Sequence, residues 1–187
     1  MHRTIHYGCV IVPISPDGTT IAFTYKGDIY TVPSTGGRAS QITTNPAHDT
    51  KPIWSPDGKK IAFASDRMGS MDIFEVNKEG GIPKRLTTHS GNETPVAYKD
   101  AGHILFLANI MPTAEDAQFP SGQFQQVYEV NTEGGRPILF SSMPMEDISI
   151  NHTGNTLLYH DKKGYEDPWR KHHTSSITRD IWLCSLN

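Results

Sequence analysis

The sequence lacks the features that mark several large classes of protein. Its apolar runs are short, as at residues 9–12, against the ~20 residues that a membrane-spanning helix needs. Two cysteines among 187 residues are too few for a disulfide-stabilised scaffold. The 17 Lys and Arg against 20 Asp and Glu give a net charge of −3, so no basic excess is available to bind phosphates. We therefore expect neither a membrane protein nor a nucleic-acid-binding protein.

Common catalytic and targeting signals are also missing. The sequence has no Gly-x-Ser-x-Gly nucleophile turn, no phosphate-binding Gly-x-x-x-x-Gly-Lys and no Cys-x-x-Cys. Its first residues carry neither a long apolar segment nor a small-x-small cleavage site, so no export signal is recognisable. These features predict a protein without a cofactor. They also predict a cytoplasmic location, or a periplasmic one if the true start differs.

The sequence does contain a unit that is repeated four times. Residues 14–18 and 54–58 share Ser-Pro-Asp-Gly, and each is followed by Ile-Ala-Phe; degenerate copies begin at Tyr98 and Ile150. Each copy continues with a short apolar segment, and the first three add a Gly-Gly pair and a last segment. Proline fixes one backbone angle and glycine takes a left-handed one, so these motifs predict tight turns between short strands.

Four short antiparallel strands in about 40–45 residues are typical of one β-propeller blade. We predict an all-β fold and a single domain over residues 1–187, with blades at about 9–44, 51–88, 95–140 and 147–187. We favour an open arc over a closed four-blade ring, because too few residues precede the first turn to supply a closing strand. An open arc leaves two apolar blade faces for a partner to cover.

The repeat resembles that of a known family. Residues 54–67, 72–74 and 85–87 are similar to the WD-like repeat of TolB-type propellers and of the N-terminal propellers of tricorn-type serine peptidases. The stretch 159–182 resembles the tricorn-type peptidases rather than TolB. This resemblance implies a bacterial propeller module associated with a peptidase whose nucleophile and general base lie in other domains.

The topology of a blade predicts which loops form a binding face. The loop between the second and third strands lies at the same rim as the link to the next blade. These loops lengthen in copies three and four, so residues 109–125 and 160–179 should project beside the links 44–52, 88–95 and 141–147. The predicted ligand-binding residues of this rim are Trp169, Arg170, His172, His173, Phe119, Phe124, His48 and His89.

Three functions fit the pattern. The first is a non-catalytic module that binds or gates peptides or holds neighbouring domains. The second is a free-standing TolB-like scaffold for protein partners. The third is a metal-dependent enzyme such as a sugar lyase, with His160, Asp161 and His172 as candidate ligands, although their spacing is not that of a zinc site. We favour the first, with no catalytic residue, no metal, and a peptide, a protein or a second copy that closes the propeller as partner.

Several other polar and aromatic residues have a structural interpretation. A carboxylate at the start of a third strand can accept hydrogen bonds from a turn or a neighbouring blade. We expect this role for Asp28, Asp72 and Asp180, and a structural role for Asp66 and Arg67. Trp54 and Trp182 are expected in the core between blades.

Overall fold

The computed structural model describes residues 12–110, 125–143, 145–151, 153–161 and 180–186, without the side chains of residues 146 and 161. These residues form 14 strands, and none of them lies in a helix. No helix in this described part of the chain could therefore cross a membrane. The strands are β1 (Thr20–Tyr25), β2 (Asp28–Pro33), β3 (Ser40–Gln41), β4 (Asp49–Trp54), β5 (Lys60–Ser65), β6 (Asp72–Asn77), β7 (Lys84–Arg85), β8 (Glu93–Asp100), β9 (His103–Ala108), β10 (Gln126–Asn131), β11 (Ile138–Ser141), β12 (Met145–Ile150), β13 (Thr156–Asp161) and β14 (Ile181–Ser185).

Consecutive strands pair antiparallel and form four separate sheets. Sheet 1 contains β1 to β3, sheet 2 contains β4 to β7, sheet 3 contains β8 to β11, and sheet 4 contains β12 to β14. The prediction of an all-β fold built from antiparallel propeller blades is confirmed. In sheet 1 the innermost pairing is a single bridge between Ile14 and Ile21. The assignment of residues 1–187 to one domain with four blades stays a prediction.

The Ser-Pro-Asp-Gly turns fold as their residue types predict. In the second copy the Ser55 hydroxyl donates to Asp57 Oδ1 at 2.7 Å and accepts from the Lys60 amide at 2.9 Å. Gly58 takes a φ of +67°, a left-handed conformation that favours glycine. The fourth copy keeps this turn with a different residue, because Asn151 Oδ1 accepts from the Thr156 amide at 3.0 Å. This substitution explains why the fourth copy folds without the motif.

Alternate residues of a strand face the preceding and the following sheet. In sheet 2, Phe63 and Phe74 pack against sheet 1, whereas Ala62 and Ile73 from the same two strands pack against sheet 3. Trp54 joins the first of these clusters, and its indole N–H donates to the Pro13 carbonyl at 3.2 Å. Its predicted place in the core between blades is confirmed. A third cluster joins sheets 3 and 4.

In the part of the chain that the structure describes, core clusters join sheets 1 and 4 to one neighbouring sheet each. Within the described residues, no core cluster joins sheet 4 to sheet 1, as expected for an arc. On the outer side of sheet 4, the exposed fractions are 42 % for Leu158, 64 % for Ile181 and 71 % for Leu183. The expected burial of Trp182 is wrong, because 49 % of this residue is exposed. Trp182 pairs with the buried Tyr159, but it lies on the last strand of the sheet, where sheet 3 covers it poorly.

Candidate functional site

At one rim of the sheets, the loop between the second and third strands of a blade lies against the link between two sheets. In sheet 1 the bridge at Ile14 stands in place of the first strand, so this loop is the β1–β2 turn. The Asp49 amide, at the start of β4, donates to the Gly27 carbonyl in the β1–β2 turn at 2.7 Å. The Glu93 amide, at the start of β8, donates to the Met71 carbonyl beside the β5–β6 loop at 2.8 Å. This is the arrangement that blade topology predicts. Side chains from neighbouring sheets therefore meet at this rim.

The two described histidines of the predicted binding set lie in successive links of this rim. The His48 amide donates to Asp66 Oδ1 at 2.7 Å, which gives Asp66 the structural role expected of it. His89 Nδ1 accepts from the Gly91 amide at 3.0 Å. The Ser70 hydroxyl donates to the backbone carbonyl of His89 at 3.2 Å and not to its ring, so the two do not form a nucleophile–base pair.

Most of the other predicted site residues fall outside the described part of the chain: Trp169, Arg170, His172, His173, Phe119 and Phe124. Of the metal candidates, His172 and the side chain of Asp161 are also outside it. His160 Nδ1 lies 3.3 Å from Asp147 Oδ2. Among the described residues, no three His, Cys, Asp or Glu side chains are placed to hold a metal ion.

A buried ion pair lies at the rim of sheet 2. Arg67 Nη2 donates to both carboxylate oxygens of Asp49, at 2.9 and 3.0 Å, and Asp49 is fully buried. The guanidinium carbon lies 4.5 Å from the centre of the Phe74 ring, and Nε donates to the Ser65 hydroxyl at 2.9 Å. A desolvated carboxylate with two charge-assisted hydrogen bonds is expensive to separate from its partner. Arg67 therefore has the structural role that the sequence predicts.

The junction of sheets 1 and 2 and the junction of sheets 2 and 3 contain the same polar arrangement, with equivalent residues 44 positions apart. In both junctions a threonine hydroxyl accepts from the first amide after the strand-initial aspartate: Thr43 from Ile29 at 3.0 Å, and Thr87 from Ile73 at 2.9 Å. A side chain of the last strand, Gln41 in sheet 1 and Arg85 in sheet 2, also binds that aspartate. The four equivalent pairs are Asp28 and Asp72, Gln41 and Arg85, Thr43 and Thr87, and Asp49 and Glu93.

At the junction of sheets 2 and 3, the position equivalent to Arg67 does not hold an arginine. Ser65 pairs with Asp49 across sheet 2, and Ala108 pairs with Glu93 across sheet 3, so Ile110 stands where sheet 2 has Arg67. Burial raises the pKa of the Glu93 carboxyl from 4.5 to about 7. The Thr87 hydroxyl and the Arg85 guanidinium lower this pKa, whereas the Asp72 carboxylate raises it further.

A carboxyl group that titrates near neutral pH is a common sign of acid–base chemistry. Glu93 is nevertheless fully buried between sheets 2 and 3, as is Asp72, so no substrate reaches either group in this conformation. Arg85 Nη2 lies 2.8 Å from Asp72 Oδ2 and links the last strand of sheet 2 to its third strand. The arrangement therefore fastens the last strand of sheet 2 and buries two carboxyl groups at the junction with sheet 3. Sequence reasoning identified Asp72 as structural but missed Glu93 and Arg85.

Comparison with known proteins agrees with this architecture. The family model of the tricorn protease N-terminal β-propeller domain matches residues 14–187. The chain belongs to this family. The tricorn N-terminal propeller resemblance is thus confirmed, and it extends over all four sheets.

Individual relatives of this tricorn-family propeller are longer proteins. Tricorn protease homolog 1 of Streptomyces coelicolor is 26 % identical over 169 residues, which cover 90 % of this chain and 15 % of that protein. A putative TolB structure from Agrobacterium tumefaciens has a TM-score of 0.66 and 24 % identity, and covers 92 % of this chain and 60 % of that one. TolB from Acinetobacter baumannii has a TM-score of 0.67 and 18 % identity, and covers 95 % of this chain and 41 % of that one. At these identities the two TolB structures show the fold alone.

Proposed function

We propose that the chain is a non-catalytic propeller module that binds polypeptide at the rim described above. The observation that carries this proposal is the match of residues 14–187 to the tricorn protease N-terminal β-propeller domain. In this chain the rim brings loops and links of neighbouring sheets together. The rim polar groups that the structure describes have structural partners, which supports a role without catalysis. His48, Asp66 and His89 hold links in place, and Asp49 and Arg67 neutralise each other.

The contacts that we propose for the bound polypeptide come from the two long loops of this rim. We propose Trp169 and Arg170 as the main contacts and Phe119 and Phe124 as further ones, because Trp and Arg are frequent anchors of protein interfaces. His172 and His173 would add polar contacts. In a longer tricorn-type protein the same module would gate peptides or hold neighbouring domains.

The test uses a fluorescein-labelled, reduced and carboxymethylated α-lactalbumin as an unfolded polypeptide. Fluorescence anisotropy measures its binding to the full chain, and the release of acid-soluble fluorescein measures cleavage. Replacing both Trp169 and Arg170 with alanine should weaken binding at least fivefold and leave the urea midpoint of unfolding unchanged. Ile82→Ala is the matched control, because Ile82 is 97 % exposed in the turn between β6 and β7.

Three results contradict the proposal. If the double variant binds as tightly as the wild type, Trp169 and Arg170 are not contacts of the polypeptide. A large fall of the urea midpoint in the double variant shows that these residues are structural. Cleavage of the probe by a protein free of contaminating protease shows that the chain is an enzyme. A TolB-like scaffold or a pair of copies that closes the propeller would instead give a stable complex by sedimentation equilibrium without rim-dependent peptide binding.

A further inference from the structure

Glu93 anchors the end of the link between β7 and β8, which consists of residues 86–92 and lies at the rim. The Glu93 amide donates to the Met71 carbonyl at 2.8 Å, and the Met71 amide donates to Asn92 Oδ1 at 3.1 Å. Asn92 is exposed, whereas the next residue, Glu93, is 0 % exposed. The link therefore passes from solvent into the junction of sheets 2 and 3 within one residue.

The Glu93 carboxyl lacks a counter-ion of its own among the described residues. Two charged groups of this part of the chain face it, Asp72 of β6 and Arg85 of β7, and these two are paired with each other at 2.8 Å. The Thr87 hydroxyl also faces the carboxyl, but neither Glu93 oxygen makes a hydrogen bond of good geometry to a described residue. An ionised Glu93 would therefore be a buried charge that nothing nearby neutralises.

The other titratable side chains that pack in this junction have partners elsewhere. Tyr98 of β8 donates to Glu75 Oε1 at 2.9 Å, and Glu75 Oε2 lies 2.7 Å from Lys60 Nζ. Tyr128 of β10 donates to the Ile110 carbonyl. None of these groups neutralises Glu93.

The link between β3 and β4, residues 42–48, is the matched case in the same molecule. The Asp49 amide donates to the Gly27 carbonyl at 2.7 Å, so this link is fastened at the equivalent point. The buried Asp49 carboxylate, however, lies 2.9 Å from Arg67 Nη2. An ionised acid is therefore stable in this junction, and the link needs no proton to stay closed.

Loss of the Glu93 proton leaves two outcomes for the carboxylate: it stays buried without a counter-ion, or it leaves the junction for water. Burial raises the pKa of the Glu93 carboxyl from 4.5 to about 7, which shows that the junction disfavours the charged form. For the carboxylate to leave, the end of the link must move, and the two hydrogen bonds to Met71 hold it in place. Local opening of such a segment costs less than unfolding of the sheets.

We propose that Glu93 is a proton-dependent anchor of the rim. Protonated Glu93 holds the end of the β7–β8 link in the junction of sheets 2 and 3. When the proton is released to solvent, the carboxylate leaves the junction and the link opens, while both sheets stay folded. The rim therefore opens more often as the pH rises, whatever ligand it binds.

His89 of the same link acts in the opposite direction. Its Nδ1 accepts from the Gly91 amide at 3.0 Å, so a proton on this nitrogen removes a hydrogen bond of the link. Protonation of His89 would loosen the link as the pH falls, whereas ionisation of Glu93 loosens it as the pH rises. The sign of the pH dependence therefore distinguishes the two residues.

The test is amide hydrogen exchange of the full chain, measured residue by residue by NMR between about pH 5 and about pH 8. After correction for the intrinsic exchange rate, the protection factor of the Glu93 amide should fall about 70-fold over this range, because the pKa is 4.5 in the open link and about 7 in the closed one. The Asp49 amide is the internal reference and should change less than about threefold, because Asp49 keeps its ion pair with Arg67. This comparison uses the wild type alone, so it does not depend on the folding of a variant.

Two variants assign the effect to the Glu93 carboxyl. Glu93→Gln should reduce the change in protection of that amide to less than about threefold, because glutamine does not ionise. Glu79→Gln, which removes an exposed carboxylate in the turn after β6, is the matched control and should behave as the wild type. The proposal is overturned if the Glu93 and Asp49 amides lose protection to the same extent, because the whole molecule then unfolds. It is also overturned if the Glu93 amide keeps its protection at the upper end of the range, or if Glu93→Gln retains the wild-type pH dependence.

Discussion

Replacing Glu93 with glutamine should abolish a pH-dependent part of the protein's stability. Burial raises the pKa of the Glu93 carboxyl from 4.5 to about 7, so between these values the folded chain keeps a proton that the unfolded chain releases. The stability that this proton supplies is complete below about pH 4.5 and is lost as the pH rises through about 7. Glutamine has almost the same shape and does not ionise, so the variant lacks this change.

The interval between 4.5 and about 7 sets the size of the effect. At about 1.4 kcal/mol for each pH unit, it corresponds to about 3.5 kcal/mol of unfolding free energy. No discount for solvent screening is needed, because Glu93 is 0 % exposed. Since a domain is stable by only about 5–15 kcal/mol, the effect is large enough to measure.

The assay is urea unfolding followed by tryptophan fluorescence between about pH 5 and about pH 8. The difference in unfolding free energy between Glu93→Gln and the wild type cancels the titration of other groups. It should move by about 2.5 kcal/mol in favour of the variant between about pH 5 and about pH 8, because the rest of the effect lies below about pH 5. Asp49→Asn is the matched control at the equivalent position. It should lose about 3 kcal/mol at every pH in this range, because it leaves the buried Arg67 without its ion pair.

One result refutes the reasoning. If the difference between Glu93→Gln and the wild type stays constant within about 0.5 kcal/mol over the whole range, the Glu93 carboxyl does not bind a proton preferentially in the folded chain. The junction between sheets 2 and 3 then admits water or another charge.

Three further predictions, two of them with a control substitution, are checked by the same urea midpoints at one pH. Trp54→Phe removes the indole bond to a backbone carbonyl and should cost about 1 kcal/mol, whereas Trp182→Phe, on the exposed edge, should stay within about 0.5 kcal/mol. Gly154→Ala should cost more than about 2 kcal/mol because its Cβ would lie 2.5 Å from a backbone oxygen at a φ of +72°, whereas Gly69→Ala, with open space around it, should cost only about 1 kcal/mol. Tyr98→Phe removes the hydroxyl that donates to a buried carboxylate of sheet 2 at 2.9 Å and should cost about 2 kcal/mol. Equal effects within either of the first two pairs, or a neutral third substitution, would contradict the packing described here.

The strands could be predicted from sequence because their ends are set by local turn chemistry. Ser-Pro-Asp-Gly and Gly-Gly occupy positions with positive φ or with hydroxyl and carboxylate caps, and these depend only on adjacent residues. The ion pair of Asp49 with Arg67 joins residues 18 positions apart and exists only because the register of β4 on β5 brings their ends together.

The unusual environment of Glu93 was harder to foresee. Its defining feature is that Ile110 occupies the position of Arg67, and this equivalence depends on the pairing of Ala108 with Glu93. The wrong prediction that Trp182 is buried has a similar origin. Its aromatic character matches that of Phe74, but burial requires coverage by neighbouring strands, which a pattern within one strand does not report.

The three apolar clusters of the described structure each join one sheet to the next in the chain. Cohesion in such a molecule is a property of neighbouring pairs, so the sheets behave as a one-dimensional array and not as one globular core. Sheets 2 and 3 have a neighbour on both sides and should open last, whereas sheets 1 and 4 should fray first. Amide hydrogen exchange would then read out position along the array, slowest in the middle and fastest at its two ends.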